Sequence, residues 1–202
     1  MIWFDQSPGR RVTIGLDLGH SNDHSAIAIL EAGQHAQILR HASRLPLGTS
    51  FTAIVDRLAV LARMPELAQR TTLVVDSTGL GAPVVEMIQR ARIGFSLVPV
   101  VITGGHAVTH SNSAQHVPKK DLVTALHLLL DTGGLRIPAT LPGYRHLEEE
   151  LLHFHANISD EGRASFRSSR ESIHDDLVMA LALAAWHARP RATFGHRPDR
   201  LL

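Results

Sequence analysis

Residues 172–188, SIHDDLVMALALAAWHA, constrain the fold of this chain more than any other stretch. From Leu177 to Trp186 there is no charge, no Gly and no Pro, and Ala and Leu dominate, so the segment reads as a helix from about 174 to 188. Its Ala/Leu stripe over 177–185 is core material and needs a surface to pack on. Yet the helix opens on two adjacent acids, Asp175 and Asp176. Two carboxylates at the mouth of a helix that must be buried call for a partner, and the other candidates for that partnership lie far upstream.

The rest of the chain supplies the surface. RVTIGLDLGH (11–20) reads as a strand ending near Asp17, and SAIAILEA (25–32) and HAQILRHA (35–42) as two more, joined by a short turn at Ala32–Gly33. Helical spacing marks 50–65, with Thr49 or Ser50 as N-cap. A continuously apolar strand, TTLVVDSTGLG (71–81), runs into an Asp and a Gly-containing turn, followed by a helix over 82–92 with Pro83 in its first turn and a strand over 95–103. Residues 104–117 read as a polar loop without periodicity, 118–134 and 141–154 as helices, and 155–168 as a hairpin turning around Asp160–Gly162. Three meander strands followed by strand–helix–strand alternation predict an α/β fold. Its sheet is mixed and five-stranded, an antiparallel meander plus parallel strands, flanked by helices, with a β-hairpin before the C-terminal helix. The expected organisation is an extension over 1–10, one domain over 11–188 and an Arg/Pro-containing tail over 189–202. No repeat or interdomain linker is visible.

Composition narrows the classes. At 44% hydrophobic and 19% charged over 202 residues the chain can build a real core. A formal net charge of +1 means that any polyanion-binding face is a local patch. Of its 20 basic residues only Lys119 and Lys120 are lysines. The absence of cysteine excludes disulfides, thiolate metal sites and Cys nucleophiles. No uninterrupted apolar run reaches membrane-spanning length, and the first residues lack the run a signal peptide needs, so a soluble, intracellular protein without a membrane partner is expected.

Asp17 closes the first strand, Asp76 closes the fourth, and Asp175–Asp176 open the last helix. Residues just beyond strand ends gather in the crevice where ligands bind in open sheets. If the first and fourth strands are neighbours, Asp17 and Asp76 sit side by side, and a helix packed on the sheet brings its acids to the same place. Carboxylates so gathered drive one another toward protonation and stay ionised together only beside a cation. Hard oxygen donors favour Mg²⁺ or Mn²⁺, and two such ions can clamp an in-line displacement at phosphorus. Each acid also has an ordinary reading. Asp17 can bond to the following turn, Asp76 can cap the next helix, and acids in a first helical turn stabilise it through the helix dipole by about 0.3–1 kcal/mol each.

The segments IGLDLG…NDHSAIAIL, VVDSTGLGAPVVEMI, ITGG, VPKKDLVTALHLLLDTGGLRIP and HDDLVMALALA occur here in an order that resembles the nuclease domain of phage terminase large subunits. The likeness spans roughly residues 11–188. It implies an RNase H-like, RuvC-related fold and a metal-dependent endonuclease that cuts viral or prophage DNA during packaging. It further implies two Mg²⁺ or Mn²⁺ ions, with Asp17 bridging them, Asp76 holding one and Asp175 or Asp176 the other. Double-stranded DNA is the implied substrate; a separate packaging ATPase, a small terminase subunit or a portal are implied partners, in the cytoplasm of a bacterial host. The Gly-rich phosphate loop of the terminase motor, ending in Lys-Ser or Lys-Thr, does not occur in these residues, so the likeness is to the nuclease alone.

Further candidates surround this set. Asp23 and His174 are accessory candidates near the metals. Lys119–Lys120 at a helix start oppose the helix dipole, which suggests phosphate contacts. Arg163, Arg167 and Arg170 flank the expected hairpin and are candidates to line DNA. The 14 histidines form no recognisable zinc-ligand set. IGLDLGHSNDHSAIAI also resembles the first phosphate loop of actin- and chaperone-type ATPases, but 202 residues leave no room for their second domain. A RuvC-like junction-resolving nuclease and a catalytically inactive docking module are the remaining alternatives.

Overall fold

The computed structural model describes residues 10–19, 23–79, 81–111, 113–158, 164–168 and 175–189, with 155–158 and 164–168 described by backbone alone. The meander forms as expected: β1 (Val12–Asp17), β2 (Ala26–Ala32) and β3 (Gln37–Arg44) pair antiparallel in sequence. Helix α1 (Phe51–Ala62) follows, and Ser50, not Thr49, caps it by accepting from the Ala53 amide at 3.2 Å. β4 (Thr71–Asp76) then returns to the other side of β1 and pairs with it in parallel. Helix α2 (Gly81–Ala91) leads to β5 (Ser96–Thr103), parallel to β4.

The stretch 104–117 is not wholly a loop. It contains β6 (Thr109–His110) and β7 (Gln115–Pro118), and β7 joins β5 in parallel. Helix α3 (Lys119–Asp131) starts directly from β7, β8 (Leu135–Arg136) pairs with β3, and α4 (Tyr144–His153) follows. Then come the antiparallel pair β9 (Phe154–Ile158) and β10 (Ala164–Ser168), and finally α5 (Asp176–Ala188). The five expected strands are thus the centre of a mixed eight-stranded sheet, ordered β6-β7-β5-β4-β1-β2-β3-β8, widened by three short strands at its edges. The β9–β10 hairpin stands apart from it, and the turn expected around Asp160–Gly162 lies outside the described residues, as do 1–9 and 190–202.

Alternation along the strands sends side chains to two layers. Ile14, Leu16, Ile27, Ile29, Leu73 and Val75 pack against α1 and α2 through Ile54, Leu58, Val84 and Ile88. Ala26, Ala28, Leu30, Val74 and Val100 face the other way, onto α3 and α5. Every residue of α5 from Asp176 to Trp186 is buried, because the sheet lies beneath it and α3 and α4 pack beside it. The strand residues below are small. Gly15 lacks the Cβ that would overlap the Ala180 carbonyl and lie 3.0 Å from the Ala184 amide nitrogen, so the α5 backbone rests directly on β1.

Candidate active site

Chain direction makes the site. β1 continues to β2 on one side, whereas β4, arriving on the other side of β1, continues to β5 and β7. The sheet therefore changes direction of growth between β1 and β4, and a crevice opens there at the carboxyl ends of the parallel strands. Asp17 and Asp76 are the last residues of those two strands. The parallel register pairs Leu16 with Val75, so the two acids are the next step on neighbouring strands. Both project to the α5 face, as do Gly15 and Val74 two residues earlier.

The row continues across the sheet. Asp17 pairs with Ala26 and Ala26 with Arg44, so Asp76, Asp17, Ala26 and Arg44 occupy successive strands at one level. The start of α5 lies over this row and splits its two acids. Asp175 is the N-cap residue but makes no side-chain cap hydrogen bond; its Oδ2 accepts from Lys119 Nζ at 3.2 Å instead. Asp176 is buried, and its Oδ2 lies 3.6 Å from Arg44 Nε. Cations thus flank the acids on both sides, Lys119 from the start of α3 and Arg44 from the end of β3.

The electrostatics follow. Asp17 has its pKa raised well above the ordinary aspartate value, first by burial and then by the charges of Asp76, Asp176 and Asp175, while Lys119 pulls it down. Burial also raises Asp76, against the Thr78 hydrogen bonds and the Lys119 charge. Its Oδ1 accepts from the Thr78 amide at 2.8 Å, a local turn bond that does not cap α2. The four sequence-predicted acids therefore share one electrostatic neighbourhood, with Asp17 at its centre.

The donor set is carboxylate oxygen throughout, which suits a hard divalent cation, and a cation is what would relieve the charge that raises Asp17. The acids are not drawn into a closed cage: among the described residues no three His, Asp or Glu side chains converge closely enough to hold an ion. Lys119 supplies the positive charge beside Asp175 in this arrangement.

Of the other candidates, Asp23 is exposed in the turn between β1 and β2. Lys119 points into the acid cluster, and its Nζ also lies 5.9 Å from the centre of the Phe154 ring. Lys120 Nζ is 3.3 Å from His106 Nδ1. Arg167 stands on β10 opposite His155, while Arg163, Arg170 and His174 lie outside the described residues. Two residues of the site's surroundings escaped the sequence reading. Glu150, on α4, accepts from Arg44 NH2 at 2.6 Å and from the Val178 amide of α5 at 3.0 Å. Burial pushes its carboxyl up to about 7, against the Val178 and Arg44 contacts that lower it. No local pattern marks a contact formed across 106 residues.

Compared by sequence, the chain matches no protein-family model and no curated protein. Compared by structure, it is similar to the large terminase nuclease of thermophilic phage G20c, at a TM-score of 0.67 and 24% identity over 91% of this chain and 85% of that one. It is similar to the large terminase nuclease domain of Thermus phage P74-26, with a TM-score of 0.64, 24% identity and coverage of 91% and 83%. It is also similar to the terminase nuclease domain of human cytomegalovirus, with a TM-score of 0.59, 15% identity and coverage of 92% and 87%. The G20c nuclease has been solved with bound magnesium and with bound cobalt. At these identities the likeness establishes the fold: this chain has the RNase H-like fold of large terminase nuclease domains. No helix among the described residues is long and apolar enough to cross a membrane.

Proposed function

We propose that this protein is a divalent-metal-dependent DNA endonuclease of the terminase type, acting on phage or prophage DNA during packaging. The observation that carries this reading is the position of Asp17. It ends β1 at the sheet's switch point, beside Asp76 and beneath the acids of α5, and burial and then their charges raise its affinity for a proton. A site that concentrates negative charge in this way has a use for a cation. The magnesium- and cobalt-bound G20c nuclease supports the same choice.

Asp17, Asp76 and the acids of α5 would hold two Mg²⁺ or Mn²⁺ ions. The ions would supply Lewis acidity, activating a water and neutralising the charge of the leaving oxygen. The protein's own part is positional. The Thr78 amide fixes the Asp76 carboxylate, and the Gly15 contact sets the height of α5 above Asp17. Lys119 moderates the proton affinity of both strand-end acids and so favours their ionised, ligating forms. Lys120 and the arginines 163, 167 and 170 are proposed to contact phosphates, which fixes register on the duplex without reading bases.

Cleavage of a labelled linear duplex and of a four-way junction, each with Mn²⁺ or with chelator, tests this function. Metal-dependent cutting of the duplex without preference for the junction is expected. A strong junction preference would move the assignment to a resolvase, and no cutting of either substrate would count against a nuclease.

A further inference from the structure

The start of α5 is held from α4 and β3 by Glu150 and Arg44, and Arg44 also faces Asp176. Helix N-termini leave amides without intrahelical partners, and a Ser, Thr, Asp or Asn at the N-cap usually takes one of them. Asp175 stands at that position, but its side chain is engaged with Lys119. The Val178 amide is satisfied by Glu150 Oε2, from another helix, at 3.0 Å in a buried setting. The second oxygen of Glu150 accepts from Arg44 NH2 at 2.6 Å, and Arg44 Nε faces Asp176 Oδ2 at 3.6 Å.

One guanidinium therefore ties the end of β3 to α4 and to the first residue of α5. Helix α4 also approaches the same strand closely at its start. Gly143, its N-cap residue, has φ +86°, and a Cβ there would lie 3.0 Å from the Ala42 carbonyl oxygen, two residues from Arg44. Planar, forked geometry suits arginine to bridge two carboxylates, and lysine, a point charge, does so less well.

We infer that Arg44 and Glu150 are positioning residues for metal binding: by capping α5 from outside and orienting Asp176, they free Asp175 from capping and present the acid pair to Asp17. This rests on the metal-site reading above and assigns the residues that set its geometry. A carboxylate held by an outer partner binds metal more tightly than one left to rotate, and loss of such partners costs about 10–100-fold in metal affinity or activity.

The test is Mn²⁺ titration of the full chain by calorimetry and by the metal-induced rise in melting temperature. Wild type is compared with Glu150→Ala, Glu150→Gln, Arg44→Lys and the double variant Arg44→Ala/Glu150→Ala, with melting in chelator as the folding control. Glu150→Ala is expected to bind Mn²⁺ about tenfold or more weakly. Glu150→Gln, which keeps an acceptor for the Val178 amide, should recover part of the loss. With Arg44→Ala measured alongside, the double variant should lose less than the product of the two single alanine losses, because the residues act as one unit. If Glu150→Ala does not fold, Glu150→Gln and Arg44→Lys decide the matter. Variants that melt lower in chelator but bind Mn²⁺ like wild type would show a purely structural role and overturn the inference alone. Absence of Mn²⁺ binding by folded wild type would overturn the metal-site reading and the inference with it.

Discussion

Because Asp17 is buried, and also shares its surroundings with three other carboxylates, its folded-state pKa stands above that of the unfolded chain. The folded state therefore keeps a proton that the unfolded state releases, and stability falls as pH rises from the ordinary aspartate range through the raised value. Asparagine cannot ionise and is spared that loss. In chelator at neutral pH, Asp17→Asn should melt at a higher temperature than wild type, and it should lose the metal-induced rise; a lower melting temperature in chelator would contradict the clustering described here. His41 gives the opposite sign. Burial, and then the Arg57 charge, lower its pKa from 6.5 to about 4, so the unfolded chain takes up the proton first as pH falls. Its contribution is full above pH 6.5 and is lost between 6.5 and about 4, at most about 3 kcal/mol. His41→Gln should flatten the stability profile across that window in pH-dependent denaturant melts, and an unchanged slope would show that His41 does not govern it.

At the scale of elements, α5 on β1 is the critical contact, since both the core and the acid pair depend on it. Gly15→Val would drive side-chain atoms into the Ala180 carbonyl. Overpacking of this kind costs about 1–3 kcal/mol and here meets backbone, which cannot rotate away. Chemical denaturation should register at least that loss, together with weaker metal binding as α5 lifts from Asp17; wild-type stability would mean that the helix can shift at little cost. Much of this layer was legible beforehand. The apolar run of 177–186 required burial, and strand-end acids on parallel neighbours fall together by register alone. The strands β6 and β7 were not legible, because Thr-His and Gln-His-Val-Pro are too short to show an alternating apolar face. The roles of Arg44 and Glu150 were hidden for another reason: a part-buried ion pair between β3 and α4 is decided by packing and not by local pattern. The different settings of Asp175, engaged with Lys119, and Asp176, facing Arg44, depend on contacts made across the fold and were equally beyond the sequence.

At the scale of the molecule, one sheet carries two helical layers, and the crevice at its switch point gathers four acids between Lys119 and Arg44. The fold is shared with terminase nucleases, but fold alone does not assign chemistry, so the proposed cleavage rests on the acids in this crevice. With a net charge of only +1, the proposed DNA binding would rely on local positive charge and should weaken with rising salt. The most direct measurement is conversion of supercoiled plasmid to nicked and linear forms in Mn²⁺ or Mg²⁺, comparing wild type with Asp17→Asn at equal folded concentration. The account predicts metal-dependent nicking and linearisation by wild type, abolished by chelator and by Asp17→Asn. Cutting that survives the loss of the Asp17 carboxylate, or a folded wild type that neither cuts nor binds the metal, would contradict it.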